Sequence, residues 1–211
     1  NYWMHNEHLK VEGEKMSKSL GNFFTLRQLV EDKKLSASAI RYTLLSTHYR
    51  QRLNFTFEKI NTSQKAINRL RELYRRLNEC HANKNDDDSI SEATDLMIKM
   101  FKGCLEDDLN ISGALGKLFT WVNLIFSELD KHKLSRPNID CAIHALDSVD
   151  LVIGCIRNAD SISSEIEVMI NKREKARSEK DWILSDKIRD ELLEKGIIIE
   201  DTPNGTIWKK K

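Results

Sequence analysis

The chain has 211 residues, with 34 Lys and Arg against 33 Asp and Glu, a formal net charge of +1. That balance excludes a global basic field for nucleic acid, so any such contact must come from local patches. There is no apolar run long enough to span a membrane and no basic-then-apolar leader, and with Pro 2 and Gly 8 the composition favours long helices. At this length the chain holds one large domain or two small ones.

Tyr2, Trp3 and Met4 read as the tail of a strand, so the chain reads as beginning partway through a domain. His5 and His8 have no third ligand following them, which favours a non-metal role. Lys15-Met16-Ser17-Lys18-Ser19 follows, flanked by Gly13 and Gly21. Its lysines offer cationic heads to phosphate oxygens, and Ser17 and Ser19 add hydroxyl donors. The glycines permit the turns of a loop that closes over an anion. A solvated basic loop has the same composition.

Thr25-Leu26-Arg27-Gln28 has the form of a capping box opening a short helix, with Leu26, Leu29 and Val30 as its apolar stripe. Ser36-Ala37-Ser38-Ala39 opens a second helix carrying Ile40, Leu44 and Leu45. Arg41, His48, Tyr49, Arg50 and Arg52 gather polar and basic groups near its end, either as ordinary surface or as an RNA-facing patch.

From Thr56 the periodicity is helical for about a hundred residues. Ile60, Ile67, Leu70, Tyr74 and Leu77 mark the first long helix, and 83–88 is a polar loop. Ser89-Ile90-Ser91-Glu92 starts a second, with Ala93, Leu96, Met97, Met100, Phe101 and Leu105 on its buried face. Asp107-Asp108-Leu109-Asn110 interrupts it, and the acidic pair reads as a helix cap with nothing to pair with. A third runs from Ile111 through Leu115, Leu118, Val122, Ile125 and Leu129. After Ser135-Arg136-Pro137-Asn138 a fourth carries Ala142, Ile143, Leu146, Val149, Val152, Ile153 and Ile156. Amphipathic helices with short connections predict an antiparallel bundle.

The final section changes texture. Ser164-Glu165-Ile166-Glu167 begins a helix rich in charge, and a second carries Trp182, Ile183, Asp186, Ile188, Arg189, Leu192 and Leu193. Gly196 suits the residue after that helix, 197–200 is β-branched, and Pro203-Asn204-Gly205 signals a turn into Thr206-Ile207-Trp208. This predicts a small module of a helical hairpin and a β-hairpin, in which tryptophans and basic groups mix as base-stacking and phosphate-binding surfaces require. Cys80, Cys104, Cys141 and Cys155 form no C-x-x-C pair and read as reduced, core-type residues.

Lys15 to Ser19 is identical to the second signature of the class I aminoacyl-tRNA synthetases, extended here by Leu20-Gly21-Asn22. The end is similar to that of the bacterial cysteinyl-tRNA synthetases. There the likeness runs through Arg173-Glu174, Ala176-Arg177, Lys180-Asp181-Trp182, Asp186 and Ile188-Arg189-Asp190, then Glu200-Asp201, Pro203, Gly205-Thr206 and Trp208. The start is similar too, through Tyr2-Trp3-Met4-His5-Asn6, Gly21-Asn22-Phe23-Phe24, Arg41-Tyr42 and His48-Tyr49-Arg50. Ile111-Ser112 departs from the family's usual Thr-Pro, and between Ile60 and Leu105 only the pattern agrees.

The resemblance implies a mainly α fold in three parts. These are a remnant of the α/β catalytic domain with the loop and a stem-contact region at 1–54, a DALR-type helical bundle at 55–158, and a small α+β anticodon-binding domain at 159–211. It implies the C-terminal part of a cytoplasmic, monomeric, non-membrane ligase that joins cysteine to tRNA(Cys) using ATP with Mg²⁺. Lys15, Met16, Ser17, Lys18 and Ser19 would bind ATP, with Lys15 and Lys18 catalytic and Lys18 meeting the charge on departing pyrophosphate. Arg177, Trp182, Asp186 and Asp201 would read the GCA anticodon. The family's first signature and its Zn²⁺ ligands are not in this sequence, so the chain alone is expected to be inactive and to hold no metal. The rivals are another class I enzyme, a tRNA-independent cysteine ligase paralogue, and a non-catalytic helical RNA-binding or scaffolding protein.

Overall fold

The computed structural model describes residues 3–83, 89–157, 164–179, 181–202 and 205–210, with the backbone alone at 164, 165, 167, 200–202 and 205–210. The chain divides into two units, Asn1–Ala159 and Asp160–Lys211. The first opens without a strand: Trp3 is 89% exposed and regular pairing begins only at Lys10. The expected strand tail is therefore absent at Trp3 and Met4, and Tyr2 lies outside the described residues. β1 (Lys10–Val11) pairs antiparallel with β2 (Glu14–Lys15), with Lys10 opposite Lys15 and Val11 opposite Glu14. Glu12 and Gly13 form the turn at φ 51° and 84°, the twist that a two-residue hairpin demands. β3 (Asn54–Phe55) joins β1 on its other side, in parallel.

The Thr25–Gln28 capping box is present in both directions. The Thr25 amide donates to Gln28 Oε1 at 2.9 Å, and the Gln28 amide donates to Thr25 Oγ1 at 3.2 Å. The turn that follows is π-helical, Gln28–Asp32, and buries Leu29 while leaving Leu26 62% exposed. Ser36 then caps α1 (Ala37–Leu45), accepting from the Ala39 amide. Ile40 and Tyr42 are buried, Leu44 stays exposed, and the Thr43 and Ser63 hydroxyls pair at 2.7 Å against α2 (Phe57–Glu79).

Thr56 caps α2, whose buried edge is Ile60, Ile67, Leu70, Leu73 and Leu77, with Tyr74 only half-buried. α3 (Ser89–Glu106) turns Ile90, Thr94, Met97 and Phe101 inward and leaves Leu96 and Met100 outside. α4 (Ile111–Asp130) buries every apolar position expected of it and adds Trp121, whose Nε1–H donates to the Thr94 hydroxyl at 3.0 Å. α5 (Arg136–Ile153) starts on a Ser135 cap with Pro137 in the first turn, where a missing N–H costs nothing. α2 packs on α1, α4 and α5, and α3 on α4 and α5. Each fully buried Leu or Ile here contributes about 1.5–3 kcal/mol. Asn83 is held to the α4–α5 connection by donating to Leu134 and His132 carbonyls. The loop expected at 83–88 lies outside the described residues beyond Asn83.

The end of α5 is built from distant residues. Gly154 takes φ 63°, and Arg41 Nε donates to the Ile153 carbonyl at 2.6 Å. Arg71 Nε donates to the Cys155 carbonyl at 3.0 Å. The buried Asp150 carboxylate accepts from the Cys155, Ile156 and Arg157 amides at 2.8, 2.7 and 2.9 Å, so the turn's orphan donors are satisfied inside the protein. The four cysteines are all unpaired thiols, and burial pushes the Cys155 thiol up.

In the second unit α6 (Ser164–Ser178) packs on α7 (Trp182–Glu194), and α7 on β4 (Ile197–Thr202), which pairs antiparallel with β5 (Gly205–Lys210). Asp181 caps α7 by accepting from the Leu184 amide at 3.1 Å, and Gly196 follows it at φ 77°. Ile170, Ile188, Leu192, Ile197 and Ile199 form a separate small core. The expected Pro203-Asn204 turn, Lys180 and Lys211 lie outside the described residues. The described residues are mainly helical with two small sheets, in keeping with the mainly α fold expected from the sequence.

Candidate functional site

Lys15 ends β2, and the loop leaves directly from it. Met16 is half-buried against the core of the first unit, which anchors the loop at one point. Asn22 fixes its shape, because its Oδ1 accepts from the Ser17 amide at 2.8 Å and its Nδ2 donates to the Lys15 carbonyl at 3.1 Å. One side chain thereby takes the place of two ladder bonds across the loop's neck. Beyond that clamp Ser17 and Ser19 share a hydroxyl hydrogen bond of 2.7 Å, and the Gly21 amide donates to the Lys18 carbonyl at 3.2 Å. Gly21 has φ 67°, a backbone that only glycine adopts without strain. Lys15, Lys18 and Ser19 are exposed, and Lys18 Nζ rests 5.7 Å from the centre of the Phe23 ring. Two ammonium groups, two hydroxyls and a tight turn form a donor set with no carboxylate, suited to a polyphosphate. Nothing in the five signature letters signals the Asn22 clamp.

The basic residues on and after α1 have partners within the protein, the one at Arg52 being an exposed ion pair. Arg41 closes the end of α5, and Arg52 Nε lies 3.4 Å from Glu7 Oε2. Arg50 Nε lies 2.9 Å from Asp108 Oδ2, the Tyr49 hydroxyl donates to Asp108 Oδ1 at 2.5 Å, and His48 Nε2 is 2.8 Å from the Asp108 carbonyl. This corrects the reading of the acidic pair: Asn110 caps α4, accepting from the Gly113 amide, while Asp108 sits at φ 52° and faces these three residues. The Tyr49 hydrogen bond, with the nearby Arg50, holds the Asp108 carboxyl below the usual carboxylate range.

In the second unit Trp182 opens α7 and is 57% exposed. Asp186 lies four residues on and is exposed on the same helical face, with Ser185, Ile188 and Leu192 turned inward. Trp182 is thus a surface ring rather than a core one, free to stack on a flat partner. Exposed Arg189 extends the stripe by a further turn, a residue the sequence reading left off the site. Arg177, on α6, is half-buried and already partnered. Asp201 lies in β4 opposite Thr206, and its side chain is outside the described set. Among the described residues no three His, Cys, Asp or Glu side chains group to hold a metal ion, and no helix is long and apolar enough to cross a membrane.

Comparison with known proteins gives consistent matches. Residues 1–65 match the family described as tRNA synthetases class I (C) catalytic domain, and residues 159–208 the Cysteinyl-tRNA ligase anticodon binding domain. The Cysteine–tRNA ligase of Brachyspira hyodysenteriae is 41% identical over 220 residues, covering 100% of this chain and 46% of that protein. The Cysteine–tRNA ligase of Protochlamydia amoebophila is 38% identical, again over 100% of the chain and 44% of the relative. The chain therefore spans less than half the length of these curated relatives. Among solved structures, the Agrobacterium radiobacter K84 LeuRS in ternary complex with tRNA and LeuAMS is similar in fold, with TM-score 0.55 and 22% identity. That likeness covers 71% of this chain and 20% of the other.

Proposed function

We propose, from the premise that the chain is similar over its whole length to the C-terminal portion of the cysteine–tRNA ligases, that it serves the ATP-dependent attachment of cysteine to tRNA(Cys). In this reading residues 1–54 carry the ATP loop and a stem-contact region, 55–158 a DALR-type bundle, and 159–211 the anticodon-binding domain. The observation that carries the reading is the clamped loop, which presents Lys15, Lys18 and Ser19 to solvent from the end of a strand.

Lys15 and Lys18 bind the phosphates of ATP, with the Ser17 and Ser19 hydroxyls as added donors and Met16 as the anchor. Lys18 stabilises the negative charge that builds on pyrophosphate as it leaves, an interaction stronger in the transition state than in the ground state. Mg²⁺, when bound, offsets phosphate charge.

Trp182 stacks on an anticodon base, and Asp186 and Asp201 accept hydrogen bonds from guanine or cytosine amino groups. Arg177 meets a base edge or phosphate. The match of residues 159–208 to an anticodon-binding family favours this over a paralogue that works without tRNA. The protein acts in the cytoplasm as a monomer.

The test is a gel-shift titration of the chain with a panel of tRNA transcripts at fixed salt. Preferential binding of the GCA-anticodon transcript supports the reading, and equal binding across the panel removes it.

A further inference from the structure

Lys10 and Lys15 stand directly opposite each other in the β1–β2 hairpin. Side chains so paired have Cβ atoms about 4.5–5.5 Å apart, and like charges there are destabilising. His8 and Arg52 line the same hollow, of about 470 Å³, together with Leu9 and Met16. Among the described residues lining it there is no carboxylate; Glu7 reaches Arg52 from outside, at 3.4 Å. Lys10 is half-buried, so its charge is not simply released to solvent. A pair that costs stability, with a third cation and an imidazole added to it, is the arrangement an anion would neutralise.

We infer that this hollow is a phosphate-oxyanion site, with Lys10, Lys15 and Arg52 as its ligands and His8 at its edge. It goes beyond the reading of the Lys15–Ser19 loop, since Lys15 alone is shared and Lys18 is not among the lining residues. The guanidinium of Arg52 offers a bidentate fork, and the two ammonium groups add point charges from the facing strands. Its proximity to the loop lets it take either the polyphosphate chain of a nucleotide or a phosphodiester of an RNA strand. Both present the same non-bridging oxygens.

The test uses the full chain and two probes, inorganic tripolyphosphate and a short single-stranded RNA, at fixed salt. The double variant Lys10→Gln with Arg52→Gln is expected to lose about tenfold in affinity for at least one probe, the loss of charged hydrogen bonds. Loss for RNA alone assigns the phosphodiester source, and loss for tripolyphosphate alone assigns the polyphosphate source. The charge-keeping pair Lys10→Arg with Arg52→Lys is expected to bind more tightly than the glutamine pair but below the parent, because lysine lacks the guanidinium fork, and it guards against misfolding of the first variant. Removing the facing like charges should leave the melting temperature of Lys10→Gln unchanged or raised. Equal binding of both probes by the parent and the glutamine double variant overturns the site, as does absence of binding by the parent. Lys18→Gln, assayed alongside, judges the loop reading separately, because that residue lies off the hollow.

Discussion

Glu12 Oε1 accepts the amide hydrogen of Phe57 at 2.9 Å. Glu12 is the first residue of the hairpin turn, at φ 51°, and Phe57 is the first residue of α2. Asn or Asp is the usual occupant of such a turn position, and glutamate has the extra carbon that reaches the helix. Its charge also sits at the positive end of the helix dipole. The hairpin that launches the Lys15–Ser19 loop is thereby tied to the start of the longest helix in the first unit.

Glu12→Ala is expected to lower stability by about 1 kcal/mol, the usual cost of a lost helix cap. Glu12→Gln, which keeps an acceptor at the same reach, should lose less. Urea midpoints of the two variants against the parent check this, and an alanine variant with an unchanged midpoint would dismiss the tie.

Asn22→Ala should leave the urea midpoint nearly unchanged, because the loop it holds is exposed. Amide exchange at Ser17 should rise instead, since that amide donates to Asn22 Oδ1. Equal exchange at Ser17 in variant and parent would show that another group shapes the loop.

Asp150→Ala removes the acceptor for three amides at a buried helix end. Unsatisfied buried donors cost about 1–3 kcal/mol each, and partial access to water softens the sum, so a loss of about 3 kcal/mol is expected. Thermal and urea unfolding measure it, and a loss under about 1 kcal/mol would mean that the turn re-forms with other acceptors.

Asp108 gives a pH signature. Its folded-state carboxyl is held low, first by the Tyr49 hydrogen bond and then by Arg50. A depressed carboxyl stabilises the fold fully above its unfolded value, about 3.9, and that contribution fades as pH falls through the folded value. The stability gap between the parent and Asp108→Asn, a residue that tolerates the same positive φ, should therefore hold from neutral pH to about 5 and close below it. A gap that persisted unchanged in acid would assign the effect to something other than ionisation.

Trp182→Ala should shift the melting temperature little, because the ring is 57% exposed at the first turn of α7. Loss of a base–aromatic stack costs about 1–3 kcal/mol in RNA affinity. Filter binding of the GCA-anticodon transcript by the variant checks it, and parental affinity would take Trp182 out of the interface.

Local signals were readable in the letters and distant ones were not. The Thr25–Gln28 box and the Ser36, Thr56 and Asn110 to Ile111 helix starts lie where the sequence puts them, because a cap is decided within four residues. Stripe positions were less secure. Leu26, Leu44, Leu96 and Met100 repeat with helical spacing and still face outward, since spacing does not say how wide the covered face is. Asp108 was misread as a cap because its partners, His48 to Arg50, are about sixty residues away, and the bond from exposed Arg41 to the end of α5 was illegible for the same reason. At the loop the five signature letters were legible, while the Asn22 clamp and the Glu12 tie depend on geometry that no spacing rule carries.

Gly154 carries a consequence for sequence drift. A Cβ there would lie 3.1 Å from Arg41 Nε, on a backbone at φ 63° that L side chains resist. Two separate penalties, one steric and one conformational, therefore fall on the same substitution. An alanine at this position would push against the guanidinium that joins α1 to the last carbonyls of α5. The steric part of the tolerance at 154 is thus set by an arginine far upstream, and a library randomised at both positions should relax that part when Arg41 is lost while the backbone still favours glycine.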